Sequence, residues 1–326
     1  MSITAPEGTG RDSGPPEPTA GQTFVQRLAT SADWRSGLVI PVLAVFTAFV
    51  IGGLIVMATG VPFTQMIEAY VALFQGSVGS IKAISETLTA ATPLILTGLS
   101  VAIAFRAGLF NIGGEGQLLI GGMTALVVGF SFSGLPWVVH LPLALLAGII
   151  GGAAWGFIPG FLRARTGAHE VITTIMLNYI AVLFVQFLLQ TSFFQREGRN
   201  DPVSKSVEAT AELPQLLGWL NPAYRVNLGL IVALIAAAVI NWLLFRTTLG
   251  FEFRAVGANP AAARYGGISV SRVYILVMII AGALAGLAGA GQILGVLGRA
   301  TPGISGPGLG FDGIAVALMG RSNPWG

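Results

Sequence analysis

The stretch Val273-Tyr-Ile-Leu-Val-Met-Ile-Ile-Ala-Gly-Ala-Leu-Ala-Gly-Leu-Ala-Gly-Ala-Gly-Gln-Ile-Leu-Gly-Val-Leu297 contains no Asp, Glu, Lys or Arg. A hydrocarbon core of about 30 Å takes about 20 predominantly apolar residues to cross as a helix, so this stretch is long enough. Six further apolar stretches precede it, at about 38–58, 87–105, 118–132, 138–162, 171–189 and 228–245. The third is short, and its helix can begin earlier, near Phe110. Irregular backbone and open strand edges cannot face lipid, so all seven are predicted helices. The expected fold is all-α: a polytopic transmembrane helical bundle with about seven or eight membrane segments.

Composition agrees with this reading. Of 326 residues, 54% are hydrophobic and only 10% are charged, and mean hydropathy is +0.78. A soluble globular chain of this length would carry about 80 charges; this one has 17 basic and 14 acidic residues. That is too few to cover a water-soluble enzyme. Bulk disorder is excluded too, because it needs low hydrophobicity. The absence of cysteine rules out disulfides and Cys-based metal centres. The net charge of +3 is small, and the basic residues fall between apolar stretches. They therefore report topology rather than a nucleic-acid footprint.

Residues 1–34 are rich in Gly, Pro, Thr and Ser and read as a disordered cytoplasmic tail. They lack the charged start and short apolar core of a cleaved signal peptide. Arg11, Arg27, Arg35, Arg106, Arg163, Arg165, Arg246, Arg254, Arg264 and Arg272 fall on one side if the N-terminus is inside. Opposite them lie Lys82 and a long external loop, 190–227, whose four basic residues (Arg196, Arg199, Lys205, Arg225) meet four acidic ones. An N-terminus inside the cell satisfies the excess of Lys and Arg in cytoplasmic loops.

Glycines punctuate two of the stretches. Gly148, Gly152, Gly156 and Gly160 recur at four-residue spacing near one helix face, and the last stretch has Gly282, Gly286, Gly291 and Gly295. Small residues at such spacing allow close helix crossings, although glycine is also common in membrane helices generally.

Three segments place polar residues where their surroundings make them costly. In 106–117, Asn111, Glu115 and Gln117 stand among four glycines at the lip of a membrane helix. This is either a broken or re-entrant segment lining a cavity or an interfacial turn with Glu115 among headgroups. In 163–178, Glu170, Thr174 and Asn178 are four apart and form one polar stripe, with interhelical hydrogen bonding as the plainer reading. His169-Glu170 begins like a zincin motif, but Thr173 ends that possibility. The third segment, 250–267, contains a short amphipathic helix started by Pro260 and closed by Gly266 and Gly267. A helix this short is unstable alone, so it either rests on a partner surface or is a plain cytoplasmic loop.

ATP chemistry has no home in the chain. Neither Lys82 nor Lys205 follows the glycine that a Walker A loop requires, and the glycines of 303–310 follow no strand. No nucleophile–base pair or paired carboxylates can be argued.

Four quoted segments carry a family resemblance: Gly108-Leu-Phe-Asn-Ile-Gly-Gly-Glu-Gly-Gln-Leu-Leu-Ile-Gly-Gly122; Glu170-Val-Ile-Thr-Thr-Ile-Met-Leu-Asn-Tyr-Ile180; Gly250-Phe-Glu-Phe-Arg-Ala-Val-Gly-Ala-Asn-Pro-Ala-Ala-Ala-Arg-Tyr265; and Phe311-Asp-Gly-Ile-Ala-Val-Ala-Leu-Met-Gly-Arg-Ser-Asn-Pro324. Across about 38–326 the chain resembles permease subunits of bacterial ABC importers for nucleosides and simple sugars, a group related to ribose and branched-chain amino acid permeases. The resemblance implies a second permease subunit, the same or paralogous, two cytoplasmic ATPase subunits and an external solute-binding protein. It also implies that the chain holds no cofactor, with ATP and Mg²⁺ on the ATPase, and that it is no enzyme itself. Glu252, Arg254, Gly257, Asn259, Pro260 and Arg264, within the loop 246–272, would form the ATPase-coupling element. Asn111, Glu115 and Gln117, with Glu170, Thr174 and Asn178, would stand at the translocation path. Relatives continue through further membrane helices after the segment ending at Pro324, so those helices are expected to be missing here. Gly308-Leu-Gly-Phe-Asp312 weakly echoes Gly108-Leu-Phe-Asn111, as though a second half begins near residue 300.

The expected function is a permease subunit in the bacterial cytoplasmic membrane, embedded in lipid, that moves a neutral polar solute inward. Low intramembrane charge fits an uncharged solute; a nucleoside comes first and a simple sugar next, with Phe110 or Phe130 available for stacking. No nucleic-acid partner is expected. The rival is a stand-alone secondary transporter coupled to protons through Glu115 or Glu170.

Overall fold

In a computed structural model, the chain is described over residues 35–196, 198, 201–304, 306 and 308–326. The tail 1–34 with Arg11 and Arg27, and Arg199 of the long loop, lie outside the described residues. The chain divides into two compact units, one ending at Phe74 and the other running from Gln75 to Gly326.

The first unit holds α1 (Arg35–Ala58) and most of α2 (Phe63–Val78). The Tyr70 hydroxyl donates to the Phe49 carbonyl at 2.6 Å, and the Phe49 and Tyr70 rings meet edge to face. Sequence reading leaves α2 as loop because Gln65, Glu68 and Gln75 interrupt its apolar run.

The second unit contains α3 (Ile81–Arg106), α4 (Gly114–Ser131), α5 (Trp137–Thr166), α6 (Glu170–Leu189), α7 (Gly229–Arg246), α8 (Thr248–Ala258), α9 (Pro260–Tyr265), α10 (Val270–Gln292) and α11 (Leu309–Met319). Each of the seven apolar stretches is helical, and no strand is formed among the described residues. Among the described residues, five helices are long and apolar enough to cross a membrane: α3, α5, α6, α7, and α10 with its continuation to Leu297. Glu115 and Gln117 make the first turn of α4 polar. Helix α3 begins earlier than expected, because the Ser80 hydroxyl caps it by accepting from the Ala83 amide at 3.1 Å. Lys82 therefore lies in its first turn rather than in a loop.

Helix α10 packs centrally against α3, α4 and α5, and glycine is what lets it approach. A Cβ on Gly282 would strike the Gly152 carbonyl, and one on Gly286 the Gly148 carbonyl. A Cβ on Gly121 of α4 would meet the Gly286 backbone. These are backbone-on-backbone crossings, so packing accounts for the spacing of 148, 152 and 156. Gly291 is different: nothing stands within 4 Å of its virtual Cβ.

The basic helix ends gather at one end of this unit. Arg106 lies over the Phe245 ring and Arg163 over the Tyr274 ring, while the Ser271 hydroxyl donates to the Ala164 carbonyl. At the other end, the long loop 190–227 is tied down by its backbone. Leu213 N–H donates to Leu294 O, Val207 N–H to Gly298 O and Glu208 N–H to Gly129 O. There α10 continues as one π-helical turn, Ile293–Leu297, closed by Gly298 at φ +64°.

Candidate functional site

The segment joining α3 to α4 does not stay at the surface. From Arg106 the chain turns at Gly108 (φ +72°) and dives back, so that the Asn111 amide lies 3.4 Å from the Ser100 hydroxyl. Ser100 is six residues above the end of α3, a depth of about 9 Å at 1.5 Å per residue. Re-entry, not an interfacial turn, is the geometry here. Helix α4 therefore starts inside the unit.

A knot of buried side chains holds this turn. Asn111 Nδ2 donates to Gln117 Oε1 at 3.0 Å, and Asn111 Oδ1 accepts from the Gly113 amide at 3.0 Å. Asn178, two turns into α6, pairs with the re-entrant backbone through both ends of its amide. Its Oδ1 accepts from Gly116 N–H and its Nδ2 donates to Ile112 O, both at 2.9 Å. Thr174 returns its hydroxyl to the Glu170 carbonyl at 2.7 Å, and its Cβ packs against Gly113. At the mouth, Glu170 Oε1 accepts from Phe110 N–H at 3.4 Å, and its other oxygen lies 3.3 Å from Arg163 Nε.

Glu115 is the costliest member, a carboxylate only 5% exposed. It sits in the first turn of α4 and accepts from Gly310 N–H, in the first turn of α11, at 2.9 Å. Helix α11 then runs back along α3, with Val316 beside Gly98, towards Ser322, whose carbonyl accepts from Arg106 Nε at 2.8 Å. Two helices thus start from one buried point and leave in opposite directions. Their N-termini present positive dipole ends to the Glu115 side chain. The echo of 108–111 in 308–312 is where these two starts meet.

The cluster Asn111, Glu115, Gln117, Glu170, Thr174 and Asn178 is one contiguous assembly. Sequence reading missed its other members, Ser100, Arg163 and Gly310, because Ser and Gly are unremarkable in a membrane helix and Arg163 reads as a topology marker. Trp155 was missed too. Its buried indole N–H lies beside Gly116 and finds no acceptor among the described residues.

The second candidate element lies below the re-entrant turn. The short helix expected to start at Pro260 and close at Gly266 is α9, and a further helix, α8, with Glu252, Arg254 and Gly257, precedes it. Between them Asn259 Oδ1 accepts from the Ala261 and Ala262 amides at 3.0 and 3.1 Å. Phe253, Val256 and Ala263 face inward, while Phe251, Asn259, Pro260, Arg264 and Tyr265 are exposed, Tyr265 at 94%. Arg254 stacks over the Phe245 ring and donates to the Gly250 carbonyl. Gly257 is the junction: a Cβ there would strike the Arg106 carbonyl, and the Gly108 position lies against the Gly257 backbone. The ledge and the knot therefore touch the same turn.

Residues 83–326 match the family described as the permease component of branched-chain amino acid transport systems. The chain belongs to this family. Among the permease's relatives, a guanosine ABC transporter permease of Bacillus subtilis is 43% identical over 87% of this chain and 80% of its own length. A nucleoside ABC transporter permease of Lactococcus lactis subsp. cremoris is 39% identical over 89% of this chain and 79% of its own. A glucose ABC transporter permease of Haloferax volcanii is 38% identical over 87% and 74%. No solved structure matches the permease. The chain is thus a multi-pass membrane permease subunit of the ABC transporter type.

Proposed function

We propose that the permease imports a nucleoside, with cytoplasmic ATPase subunits, a second permease subunit and an external solute-binding protein as partners. The observation that carries this reading is the 43% identity to a guanosine permease across most of both chains. A simple sugar is the second solute class, supported by the glucose permease at 38%. ATP and Mg²⁺ belong to the ATPase. The membrane is the bacterial cytoplasmic membrane, with the tail 1–34 and the Arg-rich ends inside and the loop 190–227 outside. Residues 35–326 act as one permease domain.

The ledge of α8 and α9 is the ATPase-coupling element, and Glu252, Arg254, Gly257, Asn259, Pro260 and Arg264 serve it. Ala263 fastens α9 to the permease from its inner face, while its outer face, with Arg264 and Tyr265, is bare and open to a partner. Displacement of the ledge reaches the turn 106–108 through Gly257, and from there the knot. Asn111, Glu115, Gln117, Glu170, Thr174 and Asn178 brace the wall of the translocation path from behind, transmitting that displacement to α4 and α11.

The test is uptake of radiolabelled guanosine by the complete complex in liposomes. Uptake that needs internal ATP and the binding protein, and survives collapse of ion gradients by ionophores, is the expected result. Uptake that stops with the ionophore and ignores ATP would overturn this reading in favour of a secondary transporter.

A further inference from the structure

At the end of the second unit remote from the Arg-rich helix ends, a cavity of about 1020 Å³ opens between the loop 190–227, the start of α5 and the π-helical turn 293–297. Ligand sites usually span about 300–1,000 Å³, so it has room for a nucleoside with water around it. Its polar walls come from Thr210, Glu212, Gln215 and Arg299, and Trp137 stands among them, 58% exposed. Glu212 and Arg299 form no ion pair or side-chain hydrogen bond with any described residue, and both are exposed. Their formal charges sum to zero. The walls are held by the backbone bonds of the loop to Leu294, Gly298 and Gly129, and His140 pins Thr210 with a 2.7 Å contact from Nδ1 to Oγ1. A π-helical turn in the wall is a feature that occurs frequently at functional sites.

We propose that this cavity is the outer receiving site for the solute, and that it takes a neutral nucleoside. Trp137 offers a ring on which a base stacks. The Glu212 carboxylate accepts from ribose hydroxyls or base N–H groups, and the Arg299 guanidinium donates to base carbonyl and ring-nitrogen acceptors. One carboxylate and one guanidinium leave the walls with no net charge, which suits a neutral solute carrying both donors and acceptors. This site rests on the import reading above and adds to it the residues that recognise the solute, none of which belongs to the buried knot.

The chain contains no cysteine, so Ser206→Cys, at the exposed rim of the cavity, is a clean reporter. The complete complex carrying it is labelled with a membrane-impermeant maleimide, with and without millimolar guanosine. Guanosine is expected to slow labelling at least fivefold. Trp137→Ala should weaken that protection about tenfold in guanosine concentration, Trp137→Phe should retain it, and Glu212→Gln combined with Arg299→Gln should abolish it. Labelling unchanged by guanosine, in a preparation that still takes up guanosine with ATP, would overturn the site while leaving the import reading intact. Protection by glucose equal to that by guanosine would overturn the nucleoside class. Loss of uptake in the unmodified complex would instead overturn the import reading.

Discussion

The knot around Asn111 and the ledge from Thr248 to Tyr265 share one turn of backbone, at Gly108 and Gly257, yet they are built on opposite rules. In the knot, polar side chains are buried and matched to amides, carbonyls and one arginine. On the ledge, a buried row of Phe253, Val256 and Ala263 fastens the helices, and the outer row is left bare. A buried polar group cannot shift without losing partners, whereas an exposed one can acquire them. The difference separates what holds the permease together from what another subunit can grip.

The comparison breaks most severely at the glycine crossing that supports the knot. Gly282→Leu puts a side chain into the Gly152 backbone, where no rotamer can yield. Overpacking typically costs about 1–3 kcal/mol and occasionally more; here the clash is with backbone, and the expected outcome in detergent gel filtration is loss of the folded monodisperse peak. Gly291→Ala is its control: the space is open, and removing a helical glycine should stabilise by about 0.5–1 kcal/mol. A lower melting temperature for Gly291→Ala would show that spacing, not contact, governs these positions.

Within the knot, Asn178→Ala strands the Gly116 amide and the Ile112 carbonyl. Buried groups left unpaired cost about 1–3 kcal/mol, readable as a fall in melting temperature of the purified permease. Glu115→Gln is milder, because an amide oxygen still accepts from Gly310. A loss under about 1 kcal/mol is expected, against more for Glu115→Ala. Equal losses would mean that the Glu115 charge, rather than its acceptor, is what the two helix starts require.

On the ledge the effects on stability become small. Tyr265→Ala removes an exposed ring and should change stability by less than about 0.5 kcal/mol, while ATP-driven uptake falls at least tenfold. Arg254→Ala also gives up a cation–π contact of about 0.5–1 kcal/mol, so its uptake defect should come with a slight loss of stability. A ledge variant that melts early and transports normally would reverse the roles assigned to the two regions.

Much of this was legible in the sequence, and the reasons differ by element. Long uncharged runs such as 273–297 could only be helices, and the four-residue repeat of Gly148, Gly152 and Gly156 already marked a close crossing. The stripe Glu170, Thr174, Asn178 was visible because helix period alone puts those residues on one face. Its partners were not, because contact between 178 and 116, or between 115 and 310, depends on how distant segments fold back. The sequence leaves the re-entry at 107–113 open between two readings, and the Ser100 hydroxyl beside the Asn111 amide decides it. Helix α2 stayed hidden because three polar residues break its apolar pattern. The start at Pro260 was legible from the proline itself, whereas the Asn259 side chain that caps it by accepting from two amides was not.

The most direct test of the division between knot and ledge uses single cysteines in this cysteine-free chain. Ala262→Cys on the ledge and Ala147→Cys in α5 are each labelled with a short maleimide–benzophenone reagent and irradiated in the complete complex, so that cross-linking needs no thiol on the ATPase. A covalent adduct with the ATPase subunit from Ala262→Cys, and none from Ala147→Cys, is the expected result. No adduct from Ala262→Cys, in a complex that still hydrolyses ATP and takes up solute, would contradict the ledge as the coupling element.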